Sequence, residues 1–357
     1  MQTIEYIKQH GVQALKDNFG IEIRQNNAGL IVLNYSQIES PKANEIVREC
    51  RGLIIDQNFN VVSRTFDRFF NYGEQPDTQS HIDLHHAEIM DKIDGSLVRV
   101  YHWNGGWHVG TRGTAFGESQ VGGFDLTFRD MIGRAIDLSA LNGLPDEMAD
   151  YTHICEVTGV ENRVVTRYSG YTLWYFTSRN NKTGEYRDFS EQMVAIGAKL
   201  PKTHRFSAIE ECIKTAAELP ELQEGYVLYQ DGIPVCKIKS PAYCAVHLIR
   251  GDGLTPNRIA NLVMTGETDE YLTYFPEDTP VIFPYKNVYN MILQSAEAVF
   301  ANISTIENQK EFALAANNSE FPSLLFRMRS GKMSALEAFN ALTENARRTL
   351  IINASRV

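Results

Sequence analysis

What the sequence lacks narrows its class before any motif is found. No run of 18 or more apolar residues occurs in its 357 residues, so no segment predicts a membrane-spanning helix. The opening stretch, MQTIEYIKQHGVQALKDNF, has no apolar signal core and reads as one amphipathic helix, so the expected location is intracellular, in the cytoplasm. Cysteine is scarce: Cys50, Cys155, Cys212, Cys236 and Cys244 are odd in number and include no C-x-x-C pair. That argues against a disulfide framework and a structural zinc site, and leaves reduced, buried thiols. Positive charge is also short. With 34 Lys+Arg against 44 Asp+Glu the net charge is −10, which argues against a protein that coats DNA non-specifically but allows a local basic groove. There is no internal repeat and no low-complexity tract.

Across residues 28–240 runs rich in β-branched and aromatic residues alternate with Gly, Asn and Asp. Gly29–Asn34, Gly52–Asp56, Asn60–Phe66, Ser96–Trp103, Trp107–Thr111, Thr152–Val157, Tyr171–Ser178, Gly225–Gln230 and Val235–Lys239 read as strands, and Asn104-Gly105-Gly106 as a hairpin turn. Helical spacing is expected near Asp125–Ile136, Ser190–Ala198 and Ser207–Ala217. From Ala242 to Arg356 the pattern is almost wholly helical, with helices expected over Val288–Thr305 and Lys332–Ile352 and a connecting loop over Gly266–Pro284. The expected fold class is α+β: a body of residues 1–243 followed by a small all-α domain of residues 244–357.

Chemistry concentrates in four places. Lys92-Ile93-Asp94-Gly95-Ser96 lies between the strand-like runs EIMD and LVRVYHW. A K-x-D-G tetrad alone arises in roughly one chain in ten of this length, and its bland reading is an exposed lysine in an Asp-Gly turn. An amine held at a strand end is also what nucleotidyl transfer needs: deprotonated, it can attack the α-phosphorus of a nucleotide. Lys237-Ile238-Lys239 puts two lysines on one strand face, either a solvated face or a phosphate clamp. Such a pair of cations would also depress the pKa of Lys92. Glu224-Gly225-Tyr226-Val227 opens a strand with a carboxylate, a rim residue or a candidate Mg²⁺ ligand. Glu156 ends an otherwise apolar strand, where it faces either solvent or a site.

The order Lys92, Glu156, Glu224, Lys237 and Lys239 resembles motifs I, III, IV and V of the covalent nucleotidyltransferases, and the chain is similar over most of residues 30–247 to the phage-type RNA ligase 1 family. Glu49-Cys50-Arg51-Gly52, Arg68-Phe69-Phe70-Asn71, Arg112, Asn162-Arg163-Val164-Val165, Phe176 with Arg179, and Ser240 with Tyr243 extend the resemblance. Where Arg68 and Arg112 stand, a well-known member of the family carries lysine, and the exchange keeps the charge and changes its geometry. The resemblance implies an antiparallel-sheet nucleotidyltransferase body, of the ATP-grasp-like ligase kind. It implies ATP and Mg²⁺ as cofactors and Lys92 as a nucleophile that becomes a lysyl-adenylate. By the same resemblance Arg51, Arg68 and Arg112 face the β- and γ-phosphates, Phe176 packs on adenine and Glu156 holds the ribose. Glu224 positions Mg²⁺, Lys237 and Lys239 hold the α-phosphate, and Phe70, Asp94, Gly95 and Gly225 complete the nucleotide site. The implied partner is RNA with 5′-phosphate and 3′-hydroxyl ends, a nicked tRNA for instance, and an end-healing kinase–phosphatase. The rivals are a capping-type guanylyltransferase, a DNA ligase, disfavoured by the helical tail, and a non-catalytic RNA-binding relative. Lys332, Arg347 and Arg348 in that tail read as a solvated helix face rather than an RNA contact.

Overall fold

The computed structural model describes residues 1–74, 82–84, 86–220, 222–251 and 253–355; Arg356, the last residue of the expected helical tail, lies outside them. It divides into two compact units, Met1–His247 and Leu248–Val357.

The opening stretch forms two helices where its pattern predicts one. Helix α1 (Gln2–His10) stops at Gly11, whose φ of 82° no side chain adopts readily, and α2 (Gln13–Phe19) ends on Gly20 in the left-handed conformation. Strands β1 (Ile21–Gln25) and β2 (Ile31–Tyr35), the short helix α3 (Glu45–Glu49), and strands β3 (Arg51–Ile55) and β4 (Val61–Ser63) follow. These four strands pair antiparallel in chain order.

The remainder of the first unit comprises β5 (Phe70–Asn71), β6 (Ala87–Asp91), β7 (Ser96–Trp103), β8 (Gly106–Thr111), α4 (Phe128–Ala135), β9 (Tyr151–Thr158), β10 (Thr172–Asn180), β11 (Tyr186–Arg187), α5 (Ser190–Ala195), β12 (Thr203–His204), α6 (Ile209–Ala217), β13 (Gly225–Gln230) and β14 (Ile233–Lys239). One five-stranded sheet has the order β11-β10-β9-β7-β8, all antiparallel; the other is β12-β6-β13-β14-β5, antiparallel except where β5 runs parallel to β14. Asn104 and Gly105, both at positive φ (50° and 77°), join β7 to β8 in the type I′ hairpin that their sequence predicts.

Alternation along the strands decides what each sheet face buries. On β13, Tyr226 and Leu228 pack with Cys212 and Ala216 of α6, while Val227 and Tyr229 point the other way. On β9, Cys155 and Val157 pack with Met131 and Ile132 of α4, while Ile154 points the other way. The second faces meet in a shared cluster of Phe66, Phe69, Met90, Ile154, Val227 and Tyr229, and the cavity described below opens at its edge.

Beyond β14 come α7 (Pro241–Arg250), α8 (Pro256–Thr265), α9 (Thr268–Tyr274), α10 (Thr279–Ile303), α11 (Gln309–Asn317), α12 (Pro322–Gly331), α13 (Ala335–Asn340) and α14 (Glu344–Ala354). The loop expected over Gly266–Pro284 is instead mostly helical. Gly266 is the left-handed cap of α8, Tyr271 and Phe275 are wholly buried, and Pro280 sits in the first turn of α10, where its missing N–H has no intrahelical partner to lose. The single helix expected over Lys332–Ile352 is two, because Lys332 turns left-handed and Ser334 and Thr343 cap fresh starts. Among the described residues no helix is long and apolar enough to cross a membrane. All five cysteines are free, four of them buried and Cys244 exposed.

Candidate active site

Lys92 is the first residue past the end of β6, and its backbone N–H is held by the carbonyl of Gly225 at 2.8 Å. That bond sets the lysine beside Glu224, the residue before β13. Lys92 Nζ lies 2.7 Å from Glu224 Oε2, and Lys239 Nζ lies 2.8 Å from Glu224 Oε1. The carboxylate, only 5% exposed, therefore bridges two ammonium groups from different strands. Burial by itself lowers the pKa of Lys92, but Glu224 and then Glu156 outweigh it and hold the amine above the ordinary lysine value. The depressed Lys92 expected from its cationic neighbours is thus corrected: the nearest charges are carboxylates, and they decide the sign. Glu224 itself is held below the ordinary carboxylate value, because Lys92 and Lys239 overcome the opposing effect of burial.

The depressed lysine is Lys237. It follows Cys236 on β14, shares its strand face with Lys239 as alternation predicts, and has Nζ 4.7 Å from the centre of the Phe69 ring. Burial, then Arg51, Lys92 and Lys239, pull its pKa down to about 7. Glu156, on β9 opposite Leu97 of β7, is pushed up to about 8 by burial, Lys92 opposing and Glu224 assisting. Lys92, Lys237, Lys239, Glu156, Arg51, Phe176, Phe69, Tyr229 and Asp91 line one cavity of about 160 Å³. A larger cavity of about 600 Å³ shares Phe176 and Tyr229 with it. It has no lysine among its lining residues, so the smaller cavity is the candidate for the chemistry.

Arginines gather at one end. Arg51 lies in the cavity wall, its Nη1 buried without a hydrogen-bond partner and its guanidinium 5.5 Å from the Phe69 ring centre. Arg68 donates to the hydroxyl of Tyr35 at 3.0 Å and lies 5.2 Å from that ring, and Arg112 lies 5.0 Å from the same ring. Burial raises the pKa of Tyr35, yet Arg51, Arg112 and Arg68 together carry it below the ordinary phenol value. Glu74 at 3.7 Å from Arg68 is the salt-bridge partner there. Cations crowded to this degree favour an anion between them. Tyr35 was missed by the sequence reading: it closes an apolar strand 57 positions before Lys92, where nothing in its neighbours marks it.

Other candidates serve the walls rather than the cavity. Asp94 is 4% exposed, and its carboxylate accepts from the N–H groups of Val165 and Thr166 and from Tyr243 Oη, at 2.8, 2.6 and 2.7 Å. Gly95 lets β7 approach β9, since a Cβ there would lie 2.6 Å from the carbonyl oxygen of Val157. Gly225, at φ 130°, has the same task against β14, where a Cβ would lie 2.1 Å from the Ile238 oxygen. Phe70 is buried on β5, 5.1 Å beneath the Arg68 guanidinium. Ser96 donates to Asn162 at 3.0 Å, and Arg179 grips Asp67 with two bonds of 2.9 Å, bracing the segment that carries Phe66 and Phe69.

A family model described as RNA ligase matches residues 49–243, the stretch from just before Arg51 to Tyr243 that contains every lining residue of the small cavity. A protein of Autographa californica nuclear polyhedrosis virus, named as a bifunctional polynucleotide kinase/RNA ligase, is 36% identical over 96% of this chain and 52% of its own length. This chain thus spans about half of that relative. The RNA ligase of Rhodothermus phage RM378 is 25% identical over 71% of this chain and 72% of its own. The solved structure of an archaeal ATP-dependent RNA ligase covers 96% of this chain and 82% of that chain, with 15% identity and a TM-score of 0.49. With more than half of its residues inside the family match, and the bridged lysine pair inside that half, the chain belongs to the RNA ligase family.

Proposed function

We propose that this protein is an ATP-dependent RNA ligase that works through a Lys92–AMP intermediate. The observation that carries this reading is the Lys92–Glu224–Lys239 bridge beside a depressed Lys237, with Lys92, Lys237, Lys239 and Arg51 lining one cavity. Lysine amines and an arginine gathered on one cavity wall suit a nucleoside triphosphate with its α-phosphorus at Lys92. Phe176, which lines both cavities, would flank the adenine, and Glu156 the ribose.

In the first step the Lys92 ammonium gives up its proton to solvent water, the amine attacks the α-phosphorus, and the bond to the bridging oxygen breaks to release pyrophosphate. Arg51, Arg68 and Arg112 stabilise the leaving charge; Lys237 and Lys239 hold the α-phosphate. In the second step an oxygen of the RNA 5′-phosphate attacks the adenylate phosphorus, forming a P–O–P link as the bond to Lys92 Nζ breaks and the lysine is freed. In the third a 3′-hydroxyl attacks that 5′-phosphorus and AMP leaves. Among the described residues no cluster of three or more His, Cys, Asp or Glu is placed to hold a metal by itself. Mg²⁺, held by Glu224 with substrate phosphate oxygens and water completing its shell as is usual for that ion, would neutralise phosphate charge. The substrate proposed is single-stranded RNA, such as a nicked tRNA loop, after a kinase–phosphatase has prepared its ends.

The test is α-labelled ATP with Mg²⁺, with GTP and Lys92→Ala in parallel. Acid-labile label on the denatured protein, from ATP alone and absent in the variant, is expected. Label from GTP instead would point to a capping-type guanylyltransferase. No label on protein shown by intact mass to carry no prior AMP would leave the non-catalytic RNA-binding reading.

A further inference from the structure

Arg99 is among the largest wholly buried side chains of the described residues and lies in the middle of β7. It shares a strand face with Leu97 and Tyr101, which pack into apolar clusters, so packing alone favours an apolar residue there. A guanidinium taken out of water without a carboxylate partner is costly, and no salt bridge involving Arg99 exists among the described residues. Its pKa is pulled down to about 10, chiefly by burial, with Tyr101 opposing and Arg51 adding to the fall.

What Arg99 does hold is backbone. Its Nη1 donates to the carbonyl of Gly52, and its Nη2 donates to the carbonyl of Thr111 at 2.9 Å. Gly52 directly follows Arg51, and Thr111 directly precedes Arg112. Gly52, at φ 74°, lets the two segments close on each other: a Cβ there would sit 2.6 Å from the carbonyl oxygen of Arg112 and 2.6 Å from Arg99 Nη2. One buried fork thus clamps the two chain segments that carry two arginines of the anion box, from strands 12 and 47 positions away along the chain.

We propose that Arg99 is a positioning residue for the triphosphate: it sets the separation of Arg51 and Arg112 so that both reach the β- and γ-phosphates and the departing pyrophosphate. This rests on the ligase reading above. A clamp of that kind matters where pyrophosphate is present and little where it is absent. Joining of RNA that already carries a 5′-adenylate involves no pyrophosphate.

The experiment compares full-length wild type, Arg99→Lys and Arg99→Gln in three assays: the KM for ATP in lysyl-adenylate formation, the pyrophosphate concentration that half-discharges the adenylate, and the sealing of pre-adenylylated RNA. In both variants the first two should rise by about tenfold or more while sealing stays within about threefold, a split that reports lost triphosphate contacts. Thermal melting of each variant accompanies the assays. Sealing that weakens in proportion to the first two, in step with the melting temperature, would make Arg99 merely structural and overturn the proposal, as would an unchanged KM and pyrophosphate dependence in folded protein. Wild type that takes no label from ATP would sink the ligase reading itself, a different failure from either.

Discussion

Lys237 is a cation made easy to neutralise. Burial and then Arg51, Lys92 and Lys239 bring it to about 7, so above neutral pH the free protein holds it largely as the amine. An arriving phosphate reverses that balance, because an opposite charge close by favours the ammonium. Between about pH 7 and the ordinary lysine range near 10.4, nucleotide binding should therefore take up a proton. Calorimetry of ATP binding at about pH 8.5, in two buffers of different ionisation enthalpy, should give about one proton taken up per ATP, and Lys237→Met should abolish it. A wild-type value near zero would place Lys237 away from phosphate. At this scale the sequence was legible where chemistry is local. The lysine pair on β14 follows from alternation alone, and the carboxylate before Gly225 stands out because it opens a strand. Which charge lies nearest Lys92 was not legible, since Glu224 is 132 positions away and its side chain reaches the lysine only once β6 and β13 pair.

Strand β9 carries both faces of the design. Glu156 looks into the cavity, while His153 is wholly buried, with Nδ1 2.6 Å from the hydroxyl of Ser178 on β10. Burial pulls the His153 pKa from 6.5 down to about 3. The sign follows: below pH 6.5 the unfolded chain takes up a proton that the folded chain refuses, so stability falls as pH drops from 6.5 toward 3, and above 6.5 it is unaffected. The slope from this one group is at most ~1.4 kcal/mol per pH unit. Glu156, raised to about 8, acts in the opposite sense: the folded protein keeps a proton that the unfolded chain loses above its ordinary value of 4.5. Comparing His153→Gln with wild type cancels that contribution. Melting temperature between about pH 6.5 and 4.5 should fall more steeply in wild type than in the variant, and parallel slopes would clear His153 as the cause. Elements themselves were read well where strands alternate and turns carry Asn-Gly. They were misread where proline and glycine suggested loop, because Pro280 at the start of α10 and Gly266 at the end of α8 are helix boundaries that join rather than separate helices.

Over the whole molecule, every residue proposed to touch nucleotide lies within Met1–His247, which has its own apolar clusters; the helices of Leu248–Val357 close around a separate one built on Phe312, Leu324 and Phe339. A fragment of residues 1–247 should therefore form the lysyl-adenylate at a rate within about threefold of the full chain, since each unit buries its own core. Loss of labelling in a fragment with native circular dichroism would assign the helical unit a part in the first step. The sequence by itself determined the α+β character, the shared face of Lys237 and Lys239 and the Asn-Gly hairpin, because alternation and turn chemistry act over a few residues. Only the tertiary structure decided that Glu224 bridges Lys92 and Lys239, that Tyr35 collects three arginines and that Arg99 clamps two segments from inside. Those neighbours come together through strand pairing and face-to-face packing, and the charge each group feels depends on distances of a few ångströms that no spacing along the chain encodes.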